Sequence, residues 1–386
     1  MAPAPTLQES PALLPVFAQL PVEPVRGDGV WLETRDGRRL LDLYAGHAVA
    51  LLGYGHPRLL AALRAQAETL FFQTTAAPLA VRARAAEALA RFAPAGLGHV
   101  FFVNSGAEAN ENALRLACRS TSRRKIVAVE GAFHGRTAAA AAVTAGAERW
   151  YGFPQAPFEV EFVPRGDVGA LQKALDPEAA AALILEPVQG MAGAVDLGRD
   201  YLAAARELTR QHGTVLIFDE VQCGMGRTGW PFAAQMHGVT PDLMTVAKGL
   251  AGGFPAGALL ASDQLAAVVR PGDLGTTFGG GPLACALIAA TLAAIEEEGL
   301  LARVRAISAR IRERCAVGPV AGIQGAGLLL GLRTTRPAKE VLDRLLARGI
   351  LAGASADLNV VRLLPPLILQ EEHVDRLAAA LSEIGP

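Results

Sequence analysis

HVFFVNSGAEANENALRLACR, residues 99–119, holds a complete strand–turn–helix unit. His99–Asn104 is a short, nearly continuous apolar run, as expected of a strand covered by helices on both faces. Ser105-Gly106-Ala107 makes a small-residue turn, and from Glu108 to about Arg119 the apolar residues return at helical spacing. Ser105 is placed to cap that helix. The free N–H groups of the first turn then face outward, which makes the helix start a ready phosphate site.

The same alternation extends in both directions. Helices are expected over 58–70 and 79–92, and further strands at Ile126–Glu130, Glu159–Val163, Ala182–Glu186, Thr214–Asp219, Leu243–Ala247 and Ala258–Ala261. The repeated β–α order predicts an α/β fold on a parallel or mostly parallel sheet. Residues 29–44 read as a hairpin turning at Asp36-Gly37, and residues 1–28 as a proline-rich extended arm. After Pro282 a long helical stretch runs to about Ala316, followed by a smaller α+β unit. The expected division is an arm and hairpin over 1–50, belonging with the small unit, a large α/β unit over 51–283, and a small α+β unit over 284–386.

Composition narrows the class of function. The chain has 386 residues, 36 basic against 37 acidic, and 51% hydrophobic residues. Such a chain is neither disordered nor able to grip a phosphate backbone through excess charge. No apolar run reaches the length of a membrane span, and the proline-broken start lacks the basic region of a signal peptide. Cys118, Cys223, Cys285 and Cys315 are scattered without a CxxC pair, and the histidines show no metal-ligand spacing. The expectation is a cytoplasmic protein with free thiols, no metal, and no nucleic-acid or membrane partner.

Sites on such sheets lie at the carboxyl ends of the strands. Here those ends carry Asn104-Ser105-Gly106, Phe133-His134, Glu186-Pro187, Asp219-Glu220 and Lys248-Gly249. Of the 36 basic residues only four are lysines: Lys125, Lys173, Lys248 and Lys339. Only Lys248 sits in an apolar, glycine-flanked strand end. Desolvation there lowers the pKa of an amine and suits it to forming a Schiff base. Asp219, at the end of TVLIFD, could hold a proton on a cationic heteroaromatic nitrogen, or could equally be a helix cap. The GMGRTG run at 224–229 matches GxGxxG, but Asp219–Cys223 separates it from the strand and Trp230-Pro231 follows. It reads as a loop rather than a dinucleotide fingerprint.

Together these segments make the chain resemble the class III (ornithine-type) pyridoxal-phosphate aminotransferases. GHP at 55–57, NSGAEANE at 104–111, FHGRT at 133–137, EPVQG at 186–190, FDEVQCGMGRTG at 218–229, AKGLAGGFPAGA at 247–258 and TTFGG at 276–280 occur in the family's order. Within the family the chain is most similar to acetylornithine aminotransferases and their relatives in arginine and lysine synthesis. The resemblance implies fold type I, with a mostly parallel seven-stranded sheet in the large domain and a smaller α+β domain. It implies pyridoxal 5'-phosphate as cofactor and a homodimer as the minimum assembly.

The resemblance also implies roles. Lys248 would form the Schiff base with the cofactor and shuttle the proton, and Asp219 would pair with the ring nitrogen. Val221 and Phe133 would pack on the two ring faces, Gln222 would reach the ring hydroxyl, and Glu220 falls in the same cofactor segment. Gly106 and Ala107, with Ser105 before them, would bind the phosphate, joined by Thr277 of the neighbouring subunit. Arg136 and Arg362 would bind substrate carboxylates, with Thr276 nearby. Arg58 and Arg227 are expected to be ordinary solvated charges.

The chain departs from the family pattern at three places. Met191 stands where a glutamate can pair with the arginine matched by Arg362, so Arg362 is expected to be less shielded. Gly281 replaces an asparagine, and the usual upstream histidine is missing at Leu274-Gly275. His47 stands where apolar or tyrosine residues face the substrate; a lone histidine there is more often structural, and the alternative expectation is that it touches the substrate's distal group.

The expected reaction moves the ω-amino group of an N-acylated ornithine, or an acylated lysine, to 2-oxoglutarate, giving a semialdehyde and glutamate. Other ω-amino acids (ornithine, 4-aminobutyrate, or a carrier-linked lysine intermediate) are the alternative donors. A nicotinamide dehydrogenase and a non-catalytic protein of this fold are the remote alternatives.

Overall fold

The computed structural model describes residues 10–175 and 180–385. Residues 1–9 of the expected arm lie outside the described residues.

The large sheet has seven strands, in the order His99–Val103, Gly257–Ala261, Leu243–Val246, Val215–Asp219, Ala180–Leu185, Lys125–Val129, Glu159–Val163. All neighbouring pairs are parallel except those of Gly257–Ala261, which runs antiparallel to both of its neighbours. Ala180–Leu185 and Val215–Asp219 are buried at every position, because helices cover both faces. That is why these strands show no polar alternation in the sequence. The helix Pro282–Glu297 is buried almost all round, since it packs on Pro57–Thr69, on Ala80–Phe92 and on the short turn Lys248–Ala251.

The first strands lie apart from this sheet. Trp31–Thr34 and Arg39–Asp42 form the expected hairpin, with Gly37 at φ +80° in its turn. Ile350–Leu351 from the far end of the chain adds parallel to Arg39–Asp42. Val320–Ala326, Leu329–Thr334 and Val360–Leu363 make an antiparallel sheet flanked by helices Ala338–Ala347 and Glu371–Ile384, and Val188–Gln189 pairs antiparallel with Val195–Asp196 in a small two-stranded sheet.

Several expectations need correcting. The arm ends in a real edge strand, Pro24–Asp28, paired antiparallel with Trp31–Thr34. The long helix after Pro282 is two helices, Pro282–Glu297 and Leu300–Arg314, parted by Gly299 at φ +63°. Arg227 is no solvated charge: it is fully buried, donates through Nη1 to the carbonyls of Pro365 and Leu328, and leaves Nε and Nη2 unpartnered. Burial pushes its pKa down to about 9.

Candidate active site

A cavity of about 420 Å³ opens at the carboxyl ends of the strands. Its wall includes Ser105, Gly106 and Ala107, Phe133 to Arg136, Asp219, Val221 and Lys248. One rim thus gathers residues spread over more than a hundred positions of sequence, because each lies at the carboxyl end of a strand or in the loop that leaves it.

The helix that begins this wall runs Gly106–Thr121, with Ser105 as its N-cap accepting from the Glu108 N–H at 3.1 Å. The N–H groups of Gly106 and Ala107 are among the four that a helix start cannot pair internally. Gly106 must be glycine: a Cβ there would lie 2.7 Å from Val221 Cγ1. Close approach therefore locks the helix start to the segment carrying Asp219.

Asp219 is buried, and each of its oxygens is occupied. Oδ2 accepts from Asn110 Nδ2 at 2.7 Å and from His134 Nδ1 at 2.7 Å, and Oδ1 accepts from the Val221 N–H at 3.0 Å. Asn110 is itself fixed: its Oδ1 accepts from Thr245 Oγ1 at 2.6 Å, and its Nδ2 also donates to the His134 carbonyl at 2.7 Å. Thr245 pairs in register with Asp219 on the adjacent strand. His134 Nε2 is buried and has no partner.

Lys248 starts the turn after Leu243–Val246, in the left-handed region at φ +48°. That conformation is costly for a residue with a side chain, and such strain gathers at functional sites. Among the described residues its amine makes no hydrogen bond or ion pair. Burial lowers its pKa, the Asp219 and Glu186 carboxylates oppose this, and Arg362 adds to the lowering.

Arg362 is 1% exposed. Its Nε donates to the Ala354 carbonyl at 2.6 Å, and Nη1 to the Gly190 carbonyl and to Gln222 Oε1, both at 3.3 Å. Among the described residues no carboxylate pairs with it, and burial lowers its pKa. Gln222 is engaged on both sides, since its Nε2 also donates to the His47 carbonyl at 3.4 Å. It is turned to Arg362 and His47 rather than lining the cavity.

His47 lies in an unusual turn. Ala45, Gly46, His47 and Ala48 all have positive φ, between +48° and +70°. The His47 ring lies against Tyr44, centroids 4.7 Å apart, and the Tyr44 hydroxyl is 2.9 Å from its Nε2. Partial burial, with Arg362 and Lys248 nearby, pushes its pKa down to about 4.

Glu220 requires correction as a cofactor contact. Its buried carboxylate accepts from the N–H groups of Ala233 and Ala234, at 2.9 and 2.7 Å, and from Cys223 Sγ at 3.2 Å. It is turned away from the cavity, into the start of the helix Ala233–His237. Thr276 accepts from the Gly279 N–H at 3.0 Å and is 3.4 Å from Asn104 Nδ2, and Thr277 is exposed; neither lines the cavity.

Four residues without a role in the sequence reading complete the site: Asn110, His134, Thr245 and Glu186. Glu186 accepts from the N–H groups of Phe133 and Gly190, at 2.9 and 3.1 Å. Burial raises its pKa, and Asp219 adds to the rise. His134 and Glu186 carry a sequence signal in their place at strand ends, and Asn110 in falling one helical turn after Gly106 and so sharing that face.

A helix start for a phosphate, a carboxylate for a protonated ring nitrogen and an unpaired amine for an aldehyde fit pyridoxal 5'-phosphate in charge and donor type. Among the described residues no group of His, Cys, Asp and Glu side chains could hold a metal ion, and no helix is long and apolar enough to cross a membrane.

The family model for "Aminotransferase class-III" matches residues 16–384. Acetylornithine aminotransferase 1 of Bordetella bronchiseptica is 40% identical over 383 residues, covering 96% of this chain and 97% of that one. The solved ornithine aminotransferase of Toxoplasma gondii, with partial occupancy of pyridoxal phosphate at its active site, superposes with a TM-score of 0.90 at 30% identity, over 97% of this chain and 92% of that one. Acetylornithine aminotransferase of Elizabethkingia anophelis gives a TM-score of 0.84 at 30% identity, over 95% and 96%.

Proposed function

The chain belongs to the class III aminotransferases, and from that premise we propose which residues carry the reaction and which donor it takes. It is a pyridoxal-phosphate transaminase of fold type I, which exchanges an amino group between a donor and a keto acid. The donor we propose is an N-acylated ornithine, or an acylated lysine, reacting at its ω-amino group, with 2-oxoglutarate as acceptor. Its curated relatives named for acetylornithine support this choice.

One observation carries the assignment of roles: an unpaired Lys248 amine shares a cavity with the fully bonded Asp219 carboxylate. When bound, pyridoxal phosphate supplies an aldehyde that condenses with amines and a protonated ring that accepts an electron pair. The N–H groups of Gly106 and Ala107 would hold its phosphate. Asp219, oriented by Asn110 and His134, would keep the proton on its ring nitrogen. Phe133 and Val221 would confine the ring. Lys248 Nζ, its pKa lowered by burial, would take the proton from the substrate's amine-bearing carbon. Arg136 and Arg362 would hold substrate carboxylates.

The family is typically dimeric, and the exposed Thr277 would reach the phosphate held by the neighbouring copy. We also place the large unit's end near Glu298 rather than at 283, supported by the packing of Pro282–Glu297 on Pro57–Thr69 and Ala80–Phe92. The pairing of Ile350–Leu351 with Arg39–Asp42 supports grouping the N-terminal sheet with the small unit.

An absorbance scan and a donor panel test the reading. The purified protein should show a visible band that borohydride abolishes. With 2-oxoglutarate, N-acetylornithine should be turned over faster than ornithine or 4-aminobutyrate. A band that fails to appear even with added pyridoxal phosphate sinks the residue assignment, and a preference for unacylated donors sinks the substrate.

A further inference from the structure

Arg136 is a cation with no acid beside it. It lines the cavity that holds Lys248 and Asp219, and among the described residues it makes no hydrogen bond or ion pair. What it has instead are aromatic rings. Its guanidinium carbon lies 4.9 Å from the centroid of Trp150 and 5.8 Å from that of Phe17. An aromatic face attracts a cation through its quadrupole. Unlike a carboxylate partner, it leaves the strong N–H donors of the guanidinium unspent.

The backbone around Arg136 is fixed from both directions. Glu111 accepts from Thr137 Oγ1 at 2.6 Å and from the N–H groups of Ala139 and Ala140 at 3.1 and 3.0 Å. Glu111 is therefore already in use by the segment that follows Arg136. On the other side Gly135, at φ +139°, sits where a Cβ would be 2.8 Å from that of Ala107. Trp150 is tied to the same corner: the hydroxyl of Tyr151 donates to the Ala138 carbonyl at 2.9 Å, and the Trp150 N–H donates to the Ala147 carbonyl at 2.9 Å.

We propose that Trp150 is a positioning residue for the transamination: its ring face holds the Arg136 guanidinium in place of an acid, so that the N–H fork stays open to a substrate carboxylate. An acid in that position would compete with the substrate for the same donors, and an empty space would let the long side chain swing into solvent. The inference rests on the proposed role of Arg136 in binding carboxylates.

The test uses the holoenzyme and two readouts: calorimetric titration with glutarate, an unreactive dicarboxylate, and initial rates over a range of 2-oxoglutarate. Trp150→Leu keeps apolar bulk but removes the π face. It should raise the glutarate Kd and the KM for 2-oxoglutarate by about 3- to 30-fold, with kcat within about twofold. Trp150→Phe should return both to within about threefold of wild type. In an Arg136→Ala background, Trp150→Leu should add no further loss. Unchanged glutarate binding in Trp150→Leu, a loss in kcat alone, or an equal loss in the Arg136→Ala background overturns the proposal. Wild-type binding of glutarate that Arg136→Ala does not weaken sinks the carboxylate role of Arg136 itself, so the two failures are told apart.

Discussion

The two ends of the cavity are built on opposite principles. At the deep end, around Asp219, every polar atom but His134 Nε2 is paired: Asn110, His134, Thr245 and the Val221 N–H form one buried network. At the reacting end and the mouth, Lys248 and Arg136 have no hydrogen-bond partner at all among the described residues. A group that stays bound through every turnover is best met by donors and acceptors already fixed in place. A group that must be exchanged is met by side chains whose bonding capacity the substrate completes. The first arrangement adds to stability, while the second lowers it where the unpaired group is buried, as at Lys248, and is neutral at the exposed Arg136.

The sharpest way to break this comparison is at Lys248. Lys248→Ala should cut turnover by at least about 10²–10⁴-fold, the usual contribution of a positioned acid–base group. Lys248→Met should lose activity equally, yet melt higher than wild type when both are cofactor-free, because it replaces a desolvated amine with an apolar chain of similar length. A Met variant that melts lower would mean that the amine is satisfied in the folded protein.

Asn110→Ala probes the opposite end. It removes two donated hydrogen bonds, one to a carboxylate, and leaves Thr245 Oγ1 without its acceptor. Stability should fall by about 1–3 kcal/mol, and retention of the cofactor should weaken about tenfold. Denaturant titration and dialysis against phosphate measure the two effects. If Asn110→Ala proves as stable as wild type while Arg136→Ala is destabilised, the contrast between the two ends is wrong.

The same contrast explains what the sequence made legible. Strand ends are local: a buried run followed by a polar residue marks Asp219 and Lys248 without any knowledge of the partners. The seven strands were readable for the same reason, as were the helices Pro57–Thr69, Ala80–Phe92 and Gly106–Thr121, while Arg199–His212 was not. What brings His134 onto Asp219, 85 positions away, is the sheet order, and no local spacing encodes it. Arg227 was misread because burial of a cation on carbonyl oxygens leaves no mark in a glycine-rich loop. Val320–Ala326 escaped notice because Gly322 and Gly325 interrupt the alternation that identifies a strand. Glu220 was drawn toward the cofactor by its place in FDEVQ, although successive residues leaving a strand point to opposite faces.

That misplacement yields the smallest and most specific prediction. Glu220 is fully buried, and burial pushes its pKa up to about 7 against the lowering effect of the Ala233 and Ala234 N–H groups. In the unfolded chain the same carboxyl releases its proton near the ordinary value of 4.5. Between those values the folded protein binds more protons than the unfolded one, so the stability owed to this group is present below the unfolded pKa and is lost as pH rises through about 7. Glu220→Gln keeps an acceptor oxygen for the helix start and cannot ionise. Its melting temperature should therefore fall less than that of wild type between pH 5 and pH 8. Parallel melting curves over that range would show instead that the two backbone N–H groups hold Glu220 ionised, as fully compensated as the Asp219 carboxylate.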